Sequence, residues 1–160
     1  MNKKTILLYL NHHGLTLGAV ESLTGGMFAS SAVDIPGASA TFRGAIVTYA
    51  TEVKVKLAGV APETIENYGV VSSKTAMEMA KGGQRQLGVD YCLSFTGNAG
   101  PGVQDSRPVG DVYIALTIKD ECIVEHHLFE GTRMEIRKAC VNKGWELLER
   151  VIKERKENYL

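Results

Sequence analysis

The stretch Gly18-Ala19-Val20-Glu21-Ser22-Leu23-Thr24-Gly25-Gly26-Met27 ends a short apolar run in a polar, glycine-containing turn, after which a helical pattern begins. A strand feeding a helix N-terminus is the building step of an α/β domain. The first amides of such a helix lack intrahelical partners and can serve an oxyanion or a phosphate. Gly25 and Gly26 allow a ligand close to the backbone, and Ser22 sets a hydroxyl beside those donors. Two roles stay open for Ser22 and Thr24: chemistry on a bound ligand, or capping of the helix.

Upstream of that corner, Ile6, Leu7, Tyr9 and Leu10 share a helical face over residues 3–13, with Gly14 as the stop. Residues 15–20 read as a strand and 24–33 as a helix closing at Asp34-Ile35-Pro36-Gly37. Residues 45–50, Ala-Ile-Val-Thr-Tyr-Ala, are a second strand by their β-branched and aromatic content. A short helix over 51–57 takes Thr51 as its cap, and another begins near Pro62 and ends at Gly69. Ser72 and Ser73 introduce a clearer helix over 74–87, apolar at Ala76, Met77, Ala80 and Leu87 and stopped by Gly88. Gly82 and Gly83 inside it cost about 1 kcal/mol each relative to alanine.

Residues 91–96 form an apolar strand buried on both faces, followed by Gly97-Asn98-Ala99-Gly100-Pro101-Gly102 and a polar loop to Gly110. Residues 111–118 and 122–129 make a hairpin across Lys119-Asp120-Glu121, and 132–159 a long amphipathic helix. Strands alternating with helices, then a hairpin, predict a three-layer α/β/α domain: a mixed, mostly parallel sheet with a C-terminal hairpin and long helix, one domain over residues 1–160. Ligands of such sheets bind outside the carboxyl ends of parallel strands, so the turns after Val20, Ala50 and Thr96 should meet at the site.

Composition narrows the function. Lys+Arg and Asp+Glu number 18 each, so no overall field draws the chain to nucleic acid or an anionic membrane, and neither is expected as a partner. Cys92, Cys122 and Cys140 are widely spaced without a CxxC pair, against a disulfide framework or structural zinc. The apolar N-terminal run is broken by Asn11-His12-His13 before any small-residue cleavage site, and no segment approaches the ~20 apolar residues of a membrane span. A cytoplasmic protein is the consistent expectation. His12-His13 and His126-His127 are adjacent pairs without ligand spacing, so no metal is expected.

Tyr49 and Lys54 fall at a strand end and in the first turns of the next helix, and Ser22 comes from a neighbouring rim. Lysine can deprotonate serine if desolvation lowers its pKa from ~10.4 towards neutrality. Tyr49 could relay that proton or orient the pair. The other reading makes Lys54 a solvated helix lysine like Lys56. Gly97, Gly100 and Gly102 shape a turn or cradle a phosphate. Arg133 and Arg137, four apart on one helix face, can grip a carboxylate or phosphate, or pair with Glu130 and Glu135.

Six blocks in order, Glu21-Ser22-Leu23-Thr24-Gly25-Gly26, Phe42-Arg43-Gly44-Ala45-Ile46-Val47-Thr48-Tyr49, Glu52-Val53-Lys54, Gly69-Val70-Val71-Ser72, Thr96-Gly97-Asn98-Ala99-Gly100-Pro101 and Pro108-Val109-Gly110, resemble the CinA C-terminal domain family. The family includes nicotinamide-nucleotide amidohydrolases. The resemblance implies a stand-alone domain that deamidates nicotinamide mononucleotide to nicotinate mononucleotide and ammonia without a cofactor. Its serine nucleophile falls on Ser22, its tyrosine on Tyr49 and its lysine on Lys54, beside the backbone donors read independently at Thr24, Gly25 and Gly26. Its substrate loop, with a binding threonine, falls on Thr96, Gly97 and Gly100, and its substrate-contacting arginine on Arg137, or on Arg133. A pyridine nucleotide is the expected small-molecule partner and a homo-oligomer the expected assembly; the alternative is a non-catalytic nucleotide-binding or competence-related regulatory module. Leu23, Asn98 and Val103-Gln104-Asp105-Ser106 depart from the family's usual Cys, Ile and Gly-Gly-Ser-type loop, which touches substrate preference more than reaction type.

Overall fold

The computed structural model describes residues 1–157. Its elements in order are α1 (Lys3–His12), β1 (Leu17–Glu21), α2 (Met27–Val33), β2 (Phe42–Val47), α3 (Thr51–Ala58), α4 (Pro62–Tyr68), α5 (Ser73–Leu87), β3 (Tyr91–Gly97), β4 (Asp111–Ile118), β5 (Glu121–Leu128) and α6 (Arg133–Glu157). The strands form one five-stranded sheet in the order β2-β1-β3-β4-β5. β2, β1 and β3 run parallel, β4 is antiparallel to β3, and β5 reverses again. The carboxyl ends of β1, β2 and β3 therefore open on the same edge of the sheet.

Alternation along the strands separates two cores. Leu17 and Ala19 of β1 with Tyr91, Leu93 and Phe95 of β3 pack among α1, α2 and α6, while Val20 and Cys92 face Met79 of α5 and Ala58 of α3. The expected three-layer α/β/α arrangement follows, with the sheet covered on both faces. α2 docks on α6 through Phe28 stacked on Trp145, ring centroids 4.7 Å apart, and through the indole N–H donating to Ser31 Oγ at 2.9 Å. α6 opens with a capping box: the Thr132 amide donates to Glu135 Oε1 and the Glu135 amide to Thr132 Oγ1.

The Gly82-Gly83 pair, unfavourable by propensity, is what seats α5. A Cβ on Gly82 would stand 1.5 Å from the Ala58 carbonyl oxygen, and one on Gly83 would stand 2.3 Å from Val20 Cγ2. Close approach of α5 to α3 and β1 outweighs the helix penalty. Gly82→Ala is expected to destabilise the protein by about 3 kcal/mol, the upper end of overpacking penalties. That corresponds to a fall in Tm of roughly 6–12 °C for a chain of this size, read by calorimetry.

Several boundaries differ from those expected. β1 ends one residue later, at Glu21, and its partner strand is Phe42–Val47 rather than 45–50. After Val47 the chain makes one more ladder bond, Thr48 amide to Glu21 carbonyl (2.8 Å), and then turns, leaving Tyr49 and Ala50 outside the strand. Ala50, not Thr51, occupies the N-cap of α3, with no side-chain cap bond. α2 begins at Met27 instead of residue 24, because Gly25 and Gly26 take φ values of 56° and 102° that a right-handed helix cannot use. The hairpin loop is two residues, Lys119 and Asp120, since Glu121 pairs with Ile118. The helix expected to residue 159 is described to Glu157; Asn158 and Tyr159 lie outside the described residues.

Candidate active site

Ser22 follows β1 directly, and the Ser22 amide extends the sheet by donating to Phe95 O at 3.1 Å. The turn after it is fixed from three sides. The Gly25 amide donates to Ser22 O, and Arg137 donates from Nε to Leu23 O (2.8 Å) and from Nη2 to Thr24 O (3.1 Å). Glu21, fully buried, turns its carboxylate to the N-terminus of α2 and accepts from the amides of Phe28 (2.8 Å) and Ala29 (3.1 Å). An anion on those amides is favoured both by the bonds and by the helix dipole. Capping of α2 is thus done by Glu21, and neither Ser22 nor Thr24 is used for it.

That arrangement corrects the expected anion site. The first free amides of α2 are occupied by Glu21, and Gly25 is occupied by Ser22 O. Among the described residues the amides of Leu23, Thr24 and Gly26 donate no hydrogen bond, so the available donors lie in the turn, not in the helix. The Thr24 hydroxyl is buried and unpartnered among the described residues.

Lys54 lies in α3 with its amine drawn back under the end of β2, and is only 2% exposed. Nζ donates to Thr48 O at 2.7 Å, to Tyr49 O at 3.3 Å and to Ser22 Oγ at 3.0 Å. No carboxylate pairs with it among the described residues. Burial lowers the pKa from 10.5 to about 8, against a smaller opposing pull from the Glu52 charge. Carbonyl oxygens can only accept, so two of the amine's positions always carry protons to Thr48 and Tyr49. The third faces Ser22. As an ammonium it donates there; as an amine its lone pair accepts the serine proton.

Tyr49 is placed otherwise than expected. Its backbone carbonyl serves Lys54, but its side chain is 64% exposed and its hydroxyl accepts from Arg133 Nη2 at 3.0 Å. The phenol makes no hydrogen bond with Ser22 or Lys54, which removes the direct relay. Arg133 also donates from Nη1 to Gly100 O at 2.7 Å. Thr96, expected on the ligand side, points into the α5 layer and donates to Val70 O at 2.6 Å, tying β3 to the turn before α5. Arg137 is spent on the carbonyls of Leu23 and Thr24. Neither Arg133 nor Arg137 forms an ion pair among the described residues, and Glu135 caps α6 instead.

A cavity of about 490 Å³ opens at the carboxyl ends of the strands, lined by Ser22, Tyr49, Gly97, Gly100, Gln104 and Arg133 among others. The glycines at 97 and 100 belong to its wall; Gly25, Gly26, Thr24, Thr96 and Arg137, expected at the site, do not line it. Among the described residues no three His, Cys, Asp or Glu side chains are grouped to hold a metal, nor is any helix long and apolar enough to cross a membrane.

A three-layer α/β domain carrying a buried serine–lysine pair at the carboxyl edge of its parallel strands is the class of protein defined so far. The CinA C-terminal domain family matches residues 2–152, and this chain belongs to that family. A competence-damage inducible protein of Bacillus pumilus is 43% identical over 145 residues, 91% of this chain and 35% of that protein. One from Pediococcus pentosaceus is 48% identical over 141 residues, 87% of this chain and 34% of that protein. The chain thus spans about a third of the length of these relatives. Among solved structures, the competence/damage inducible protein CihA of Agrobacterium tumefaciens superposes with a TM-score of 0.87 at 32% identity, covering 94% of this chain and 92% of that one. A CinA superfamily protein of Escherichia coli gives a TM-score of 0.87 at 28% identity, covering 94% and 86%.

Proposed function

We propose that the chain is a serine amidohydrolase that deamidates nicotinamide mononucleotide to nicotinate mononucleotide and ammonia. The observation that carries this reading is the Lys54 amine, buried, without a carboxylate partner among the described residues, and hydrogen-bonded to Ser22 Oγ at 3.0 Å beside two carbonyls that fix its remaining protons. Lys54 takes the serine proton as Ser22 Oγ attacks the carboxamide carbon. The turn amides of Leu23 and Thr24 are the donors nearest in sequence for the oxyanion. The proton on Lys54 passes to the departing nitrogen, ammonia leaves, and a water deprotonated by the same amine hydrolyses the acyl-serine to the acid. Arg133, a cation on the cavity wall with no carboxylate partner among the described residues, is the group for the phosphate. Tyr49 holds that guanidinium and so acts on substrate placement.

The test is direct: incubate the protein with nicotinamide mononucleotide and measure ammonia and the nucleotide product. Stoichiometric release of ammonia and nicotinate mononucleotide supports the reading. Calorimetric binding of the nucleotide with no turnover would leave a binding module in its place.

A further inference from the structure

The loop joining β3 to β4 is organised by one buried side chain. Asn98 is 4% exposed, and its carboxamide is used up on the loop's own backbone. Nδ2 donates to the carbonyls of Gln104 and Arg107, both at 3.1 Å, and Oδ1 accepts from the Gln104 amide at 3.0 Å. The main chain of Asn98 is equally committed, its amide to Asp111 O (3.0 Å) and its carbonyl to the Gly110 amide (2.7 Å). Further along, Asp105 Oδ2 accepts from the Val71 amide at 2.8 Å, and Asp105 and Ser106 are held at φ values of 58° and 55°. Non-glycine residues keep such angles only where the surroundings over-determine them.

The consequence falls on Gln104. Its amide is held by Asn98 Oδ1, and its carbonyl accepts from Asn98 Nδ2 and from the Arg107 amide (3.1 Å). Its side-chain carboxamide makes no hydrogen bond among the described residues, and Gln104 lines the same cavity as Ser22 and Arg133. A pinned backbone at a cavity wall whose side-chain amide is uncommitted is the arrangement of a recognition group.

We propose that Gln104 is a substrate-recognition residue, positioned by Asn98, and that it reads the ribose hydroxyls of a ribonucleotide lying between Ser22 and Arg133. This rests on the amidase reading, which puts the reacting amide at Ser22 and the phosphate at Arg133 and so leaves the sugar between them. A glutamine side chain offers a donor and an acceptor side by side, matching a diol whose hydroxyls both give and take hydrogen bonds. Being neutral, it does not compete with Arg133 for the phosphate.

The test compares nicotinamide mononucleotide with its 2′-deoxyribose analogue. The unsubstituted protein prefers the ribonucleotide by about three- to tenfold in kcat/KM, the worth of one hydrogen bond. Gln104→Ala, at an exposed position where folding is not at risk, brings that ratio close to one by raising KM for the ribonucleotide with kcat nearly unchanged. Asn98→Ala removes the same preference, and the double variant loses nothing further, because Asn98 acts through Gln104. A preference that survives Gln104→Ala overturns the proposal. If the protein turns over neither compound, the amidase reading has failed. Calorimetric Kd values for both nucleotides then decide separately: a ribose preference that depends on Gln104 upholds the proposal, and equal binding, or none, overturns it.

Discussion

Ser22→Ala lowers the rate of ammonia release from nicotinamide mononucleotide by a factor on the order of 10³ or more, with the fold and nucleotide binding intact. The size follows from the role: removing a covalent nucleophile eliminates the low-barrier route and leaves only what binding and the oxyanion donors supply. The fold is spared for a local reason. The Ser22 hydroxyl has one hydrogen-bond partner among the described residues, Lys54 Nζ, and the turn is held by backbone bonds that alanine keeps. Lys54 retains Thr48 O and Tyr49 O as acceptors. Tm should therefore stay within a few degrees of the parent, and calorimetry should still detect the nucleotide. Turnover persisting at the parent rate in this variant would remove Ser22 from the chemistry.

The architecture could be read from the chain because its strands announce themselves locally. Residues 91–96 carry no charge, hold only Ser94 and Thr96 as polar side chains, and lie at the centre of the sheet, buried on both faces. α5 was readable from its three-and-four spacing and its Ser72 cap, although the sequence marks Gly82 and Gly83 only as a cost. Their use depends on Ala58 and Val20, which are distant in the chain. The same limit applies to the site. Ser22 and Lys54 are 32 residues apart, and only the rule that parallel strand ends share an edge brings them together before coordinates are known.

Where a side chain's direction decides its role, sequence was least informative. Arg133 and Arg137 are one helical turn apart and look alike, yet one faces the cavity and the other the turn carbonyls. Thr96 faces α5 because strand alternation sends it there with Cys92 and Ser94. Glu21 gave no signal as the α2 cap, since a carboxylate bound by amides seven and eight residues on matches no capping pattern. Asn98 read only as a departure from a family motif. Its function as the loop's internal brace depends on Gln104 and Arg107 folding back onto it.

The second large effect belongs to Lys54, and pH separates it from a structural role. An amine that must accept the serine proton is active only when neutral. With its pKa lowered by burial to about 8, kcat/KM should rise roughly tenfold per pH unit up to pH 8 and level off above it. Lys54→Arg keeps a cation and its donors but does not deprotonate in this range, and so should lose activity on the order of 10³-fold with no recovery at pH 9. Stability moves with the same titration. Between pH 8 and 10.5 the unfolded chain holds a proton on Lys54 that the folded chain has released, so raising the pH through this window stabilises the fold. The gain is about 3 kcal/mol relative to Lys54→Met, which has no such group. Below pH 8 both states are protonated and the difference between the two proteins is flat. A Lys54→Met variant whose stability tracks the parent from pH 8 to 10.5 would mean that the amine is solvated in the folded protein. With that, the base in the proposed mechanism would be lost.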